Sequence, residues 1–172
     1  MPHPPTNTSY QGTQFFAAVL DLPPQLRRGV LDVLEVNDFT TKPAQTIYRA
    51  LLDLDGLDTI DGRINTGIAL FDYLRDSKAL EGATGHGVKT MIGDIATAKA
   101  TGNMAHVLVK QLREDRYRGA VKHLAHQLAE AADTAPKDDI DALLADNLDE
   151  LRRLSIRCTK PRSQQRDFKV AS

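Results

Sequence analysis

The 172-residue chain has no tryptophan and a single cysteine, and aromatic residues make up 5% of it. Cys158 alone excludes an intrachain disulfide framework and any multi-cysteine zinc site, which fits a reducing compartment. No run approaches the roughly 18 apolar residues of a membrane span, and the N-terminus lacks a basic stretch followed by an apolar one. These absences lead us to expect a soluble cytoplasmic protein without membrane contact. An excess of one charge sign is also missing: the net charge of -1 gives the whole molecule no pull toward nucleic acid. Convincing period-two alternation is absent too and β-branched residues are scattered, so the expected class is all α. What is present is 41% hydrophobic residues. That suffices for one ordinary core, and the length is too short for a helical domain plus a nucleotide-hydrolysing domain.

Residues 1–14, with Pro2, Pro4 and Pro5 among polar residues, have little to bury and read as a disordered arm. A short apolar helix is expected from Phe15 to Leu22. Pro23-Pro24 ends it and starts a second, with Leu26, Val30, Leu31 and Leu34 at helical spacing. A third begins at Pro43 behind Thr41 as a cap, carries Ile47, Tyr48, Leu51, Leu52 and Leu54, and closes at Gly56. Ile64 to Asp76 reads as a fourth, with Ile68, Phe71 and Leu74 as its apolar residues. A joint at Gly82, Gly85 and Gly87 then leads to a fifth, about Val88 to Lys99, with Met91, Ile92 and Ile95 inward.

From Asn103 to about Ala132 there is one glycine, Gly119, and no proline. Thirty helical residues span about 45 Å, longer than a compact core of this size requires. Residues 133–137 break the pattern. A second helix follows, capped by Asp138 or Asp139, with Ile140, Leu143, Leu144, Leu148, Leu151 and Leu154 on one side. The expected architecture is a helical head over 15–102, an antiparallel helical hairpin over 103–156 and a basic flexible tail over 157–172. From Arg152 onward seven basic residues (Arg152, Arg153, Arg157, Lys160, Arg162, Arg166 and Lys169) stand against Asp167, giving +6. Such a segment can neutralise phosphates without folding, so weak nucleic-acid contact is one reading and a solvated tail the other.

Chemistry-bearing patterns are few. Gly82 to Thr90 resembles a phosphate loop, but Val88 separates Gly87 from Lys89 and a helix rather than a strand precedes it, so no nucleotide is expected there. His123, His126 and Glu130 share a helix face at zinc-ligand spacing, without a His-Glu-x-x-His arrangement, and read as solvated side chains. His86 and His106 have no evident partner in sequence. Cys158 lies in a basic stretch that could lower its pKa, yet nothing nearby is placed to act as its base. The acidic group Asp133, Asp138, Asp139 and Asp141 lacks the ligand pattern of a calcium loop. No catalytic residue, metal or cofactor is expected.

The segment Asp38-Phe39-Thr40-Thr41-Lys42-Pro43-Ala44-Gln45-Thr46-Ile47-Tyr48-Arg49-Ala50-Leu51 resembles the N-terminal domains of DnaB-type replicative helicases. There an Asp-Phe pair precedes a Pro and an Ile-aromatic pair, the spacing kept by Phe39, Pro43, Ile47 and Tyr48. The resemblance extends from about Val19 to the end of the second hairpin helix. Leu74 followed by Leu80 and a Gly-containing turn matches one inter-helix junction, and Leu112-Arg113-Glu114 falls on a Val-Arg-Glu element entering the hairpin. Ala44 replaces a common His, Leu108 stands where a Tyr is usual, and the first helix is only loosely similar.

In that family a helical head is followed by a protruding hairpin. Hairpins pair two N-terminal domains, and three pairs form a ring that also docks primase and loaders. The resemblance therefore implies that Val121, Leu124, Leu128, Leu144, Leu148 and Leu151 serve helix packing and pairing; they could equally zip the two hairpin helices together. The expected function is a non-enzymatic replication module, lacking the ATPase domain, that binds itself and replicative helicase or primase. Two alternatives stand beside it: an N-terminal fragment of a full helicase whose remaining part hydrolyses ATP, and a small enzyme with an unrecognised helical site.

Overall fold

The computed structural model describes residues 8–159, and every regular element among them is helical. The helices are α1 (Thr8–Asp21), α2 (Pro24–Leu31), α3 (Lys42–Asp53), α4 (Arg63–Asp76), α5 (Gly82–Thr97), α6 (Ala105–Thr134) and α7 (Lys137–Thr159). Short 3-10 turns occupy Val36–Asp38 and Gly102–Met104. The all-α expectation holds.

The chain divides into two compact units, 1–116 and 117–172. In the first, α1 is the central element. Phe15, Phe16, Ala17, Ala18, Val19 and Leu20 are consecutive and all buried, so the helix is covered on every side along this stretch. It packs against α2, α3, α4, α5 and the second 3-10 turn. Full burial of a side chain of this size contributes about 1.5–3 kcal/mol. The helix begins at Thr8, not Phe15, so within the expected arm residues 8–14 are helical; residues 1–7 lie outside the described residues. The reason is close packing by small residues. Gly12 is buried, and a Cβ there would lie 3.6 Å from Met91 and 3.7 Å from Ala44.

The segment 38–51 is an inward-facing structural device. Thr41 Oγ1 accepts from the Ala44 N–H at 3.4 Å, the expected N-cap of α3. The Asp38 carboxylate, itself buried, accepts from the Glu35 N–H at 2.8 Å and fixes the turn before it. Phe39 stacks on Phe16 at 5.0 Å and leans on Tyr48 at 5.0 Å. The Tyr48 hydroxyl donates toward the carbonyls of Leu34 at 2.8 Å and Leu31 at 3.2 Å. Ala44 is buried beside Gly12, so a larger side chain has no room at that position.

The expected fourth helix, α4, divides its apolar residues between two faces. Thr66, Leu70 and Leu74 face the core, whereas Ile68 and Phe71 are exposed. Thr66 can be buried because its hydroxyl donates to the Gly62 carbonyl at 2.8 Å.

The glycine cluster is likewise not a joint. It forms the first turns of α5, which starts at Gly82, with Val88, Met91 and Ile95 buried. A Cβ on Gly87 would meet Pro43 of α3 at 2.8 Å, and one on Gly85 would meet the Leu80 carbonyl carbon at 2.2 Å. These glycines permit close approach of backbone and ring. Gly85→Ala is therefore expected to destabilise the protein by about 2–3 kcal/mol, read as a lower urea midpoint, whereas open Gly93→Ala should be neutral or stabilising.

The boundary between head and hairpin also moves. Ala105, Leu108, Val109 and Leu112 of α6 belong to the core of the first unit, and Arg113 donates to the Val33 carbonyl. The break falls after Arg116 rather than at residue 102. The second unit holds the rest of α6 and α7, joined by Ala135 and Pro136 into a helical hairpin. The Ala135 N–H donates to the Ala131 carbonyl at 2.8 Å as the chain leaves α6. Asp138 and Asp139 lie in the first turn of α7 rather than capping it, where their charge complements the helix dipole. α7 runs to Thr159, so residues 157–159, expected as tail, are helical.

Candidate interaction surfaces

In the hairpin unit the apolar residues keep heptad-like spacing. On α6, Tyr117, Ala120, Leu124, Leu128 and Ala131 are buried or half-buried; on α7, Ile140, Leu143, Leu144, Leu151 and Leu154 are. A two-helix unit closes one seam and leaves its margins open. Among the six residues expected to pack or pair, Leu124 is buried, Leu128, Leu144 and Leu151 are half-buried, and Val121 and Leu148 are 39% and 43% exposed. Leu124 is thus taken up by packing, while Val121 and Leu148 keep apolar surface available. Polar groups enter the seam as well: Asn147 Nδ2 donates to the Leu143 carbonyl at 2.8 Å.

The basic residues separate into two sets. Arg152 pairs with Asp149 at 3.3 Å, and Arg153 contacts both oxygens of Glu150 at 2.8 and 2.9 Å, all on α7. Local carboxylates offset those two charges, and Arg157 also has an interaction partner. Lys160, Arg162, Arg166 and Lys169 lie outside the described residues.

The remaining chemistry-bearing residues do not converge. His126 Nε2 lies 3.4 Å from Glu130 on a strongly exposed face. Among the described residues no group of three His, Cys, Asp or Glu side chains is placed to hold a metal ion. The element preceding the glycine cluster is α4, a helix, so the backbone context of a phosphate loop is missing. Cys158 is half-buried on α7. A cleft of about 480 Å³ is lined by Tyr10, Thr13, Gln14, Asp94, Thr97, Ala98 and Lys99. It assembles no paired acid and base at hydrogen-bond distance. No helix among the described residues is long and apolar enough to cross a membrane.

Two features escape a reading of the sequence. The first is the outer face of α4, where Ile64, Ile68 and Phe71 are 78%, 57% and 39% exposed. Their i, i+4, i+7 spacing is visible in the sequence, but it signals burial as readily as an outward stripe.

The second is a set of arginines that satisfy backbone carbonyls at helix ends. Arg27, 1% exposed, donates to Leu22 at 3.0 Å, Leu57 at 3.1 Å, Ile60 at 2.7 Å and Leu20 at 3.2 Å. Desolvation pulls its pKa below the ordinary arginine value, and Asp61 partly offsets this. Arg28 donates to Leu52 at 2.8 Å and Leu54 at 3.1 Å, and Arg63 to Ala98 at 2.8 Å, Ala100 at 3.3 Å and Ile95. These cations sit where the carbonyl ends of α1, α3 and α5 carry partial negative charge.

Compared with family models, curated proteins and solved structures, the chain matches none.

Proposed function

We propose that this chain is a non-enzymatic assembly module of DNA replication, which associates with itself through the hairpin and binds replicative helicase or primase. The observation that carries the self-association is the hairpin's incomplete burial: Val121 and Leu148 are exposed and Leu128, Leu144 and Leu151 half-buried. Apolar surface of this kind on a two-helix unit is relieved by a partner helix pair. The replication assignment rests on the resemblance of residues 38–51 and of the head-then-hairpin order to helicase N-terminal domains. That segment is occupied with packing the head, so it supports a shared fold, and partner choice falls to the hairpin surface.

Light scattering of the protein alone, then mixed with the replicative helicase and primase of its source, tests both parts. The expected result is a dimer or larger species alone and a heavier complex with one of the two. Val121→Glu with Leu148→Glu should weaken self-association by about tenfold or more, because each buries an unpaired charge, while leaving helix content unchanged. A wild-type monomer at about 100 μM would overturn the self-association, since a hairpin interface of ordinary size binds more tightly than that. Failure to bind either helicase or primase at micromolar concentration overturns the replication assignment.

A further inference from the structure

The α4 face is a separate apolar surface, in the first unit, whose chemistry specifies its occupant. Of the nine large hydrophobic side chains exposed among the described residues, Ile64, Ile68 and Phe71 form one stripe along a single helix. The core side of α4 is already filled by Thr66, Leu70 and Leu74, so this stripe cannot turn inward. Gly67 lies beside it, and a Cβ there would meet nothing within 4 Å. The backbone is therefore open to close approach by another helix.

The charges flanking the stripe differ at its two ends. Asp58 and Asp61 lie exposed before the N-terminus of α4, while its C-terminal end carries Arg75 and Lys78 beside Asp72 and Asp76 and has no net charge. Arg63, the cation nearest the acidic end, is engaged with the carbonyls that end α5. Arg75 contacts Asp72 at 2.8 Å and Asp76 at 3.1 Å, both exposed pairs that can be exchanged at little cost.

We infer that this face pairs two copies of the chain through an antiparallel, two-fold packing of α4 on α4. With the axis between Gly67 and Ile68, Ile64 of each copy meets Phe71 of the other. Ile68 of each copy then lies over Gly67 of the other, with the two Ile68 side chains adjacent across the axis. The same operation moves the acidic end of each helix away from its counterpart in the other copy and places Asp61 near Arg75 and Asp58 near Lys78. Antiparallel alignment also opposes the two helix dipoles favourably. A two-fold interface must be self-complementary, and this stripe meets that demand in both shape and charge. A parallel pairing would set Asp58 and Asp61 of one copy against Asp58 and Asp61 of the other. The contact is small, so the association is weak and becomes evident at high concentration or when tethered by another interface. It does not depend on hairpin pairing.

The test uses the full chain carrying Cys158→Ser, so that no native thiol competes. Ile68→Cys lies next to the axis, where two copies of the residue come within disulfide reach, and Asn65→Cys on the same helix points off the stripe. Under mild oxidation at about 100 μM, Ile68→Cys is expected to give mostly covalent dimer and Asn65→Cys little. Equal yields from the two would overturn the proposal, as would no dimer from either. A second measurement removes hairpin pairing with Val121→Glu and Leu148→Glu and follows the residual association by sedimentation. Adding Ile68→Glu should weaken it by about tenfold or more without lowering the melting temperature, since the site is exposed in the single chain. Residual association that is indifferent to Ile68→Glu overturns the α4 pairing and leaves the hairpin reading untouched. Self-association that is indifferent to Val121→Glu and Leu148→Glu, with retention of the Ile68→Cys dimer, does the reverse.

Discussion

Replacing Arg27 by methionine is expected to destabilise the protein by about 3–5 kcal/mol, although methionine fills much the same volume. Arg27 is a buried cation whose guanidinium donates to four carbonyls, two ending α1 (Leu20, Leu22) and two in the connection between α3 and α4 (Leu57, Ile60). Methionine leaves those acceptors without the donor and removes the positive charge from the negative end of α1, each buried unsatisfied group costing about 1–3 kcal/mol. Arg27→Lys should recover only part of the loss, because an ammonium cannot span four acceptors in a planar fork. Arg28→Met, at a more exposed position with two acceptors, serves as the control and should cost about 1 kcal/mol. Urea unfolding followed by circular dichroism reads all three. An Arg27→Met variant as stable as the parent would mean that water replaces the guanidinium at these carbonyls.

This arginine shows where sequence reading stops. Arg27 and Arg28 are adjacent in a short amphipathic helix, and nothing in composition or spacing says that one is buried and the other not. The distinction arises from which carbonyl ends the tertiary fold brings beside α2. By contrast α3 was legible almost residue by residue, because its signals are local: Thr41 as cap, Pro43 in the first turn, and Gly56, at φ +76°, after its end.

α1 was legible only from Phe15. The earlier part of its buried face is made by Gly12 and Thr13, which carry no hydrophobic signal. α4 carries two stripes, and the more apolar one, Ile64-Ile68-Phe71, is outside. The core takes Thr66 instead, whose hydroxyl is satisfied within the helix. Hydropathy ranks side chains by transfer cost and misses a polar group that brings its own partner.

The candidate surface was half legible. Leu stripes identified the hairpin, but α6 repeats the same spacing in both units. The sequence alone could not tell Leu108 and Leu112, held in the head, from Val121 and Leu128. The transition is set by contacts made far away in sequence, such as Arg113 to the Val33 carbonyl.

Phe39→Ala should be among the most damaging single changes in the head, at about 3–5 kcal/mol, lowering the melting temperature by roughly 10 °C or more. The ring is buried among Phe15, Phe16 and Tyr48, with centroids 5.8, 5.0 and 5.0 Å away. Its removal opens a cavity bordered by rigid aromatic walls that cannot collapse onto it, and cavity cost rises with the volume left empty. Phe39→Leu, which restores most of that volume, should cost about 1–1.5 kcal/mol. Tyr48→Phe keeps the wall but removes the donor to the Leu31 and Leu34 carbonyls, for about 1–2 kcal/mol. The order of the three variants separates packing from recognition. If residues 38–51 were a binding motif, Phe39→Leu would abolish partner binding while leaving stability almost intact. If they act as a packing device, binding should follow the fraction folded through the whole series. Melting curves and partner titrations on the same three variants decide between these, and the burial of Phe39, Ala44 and Ile47 in the isolated chain favours the second.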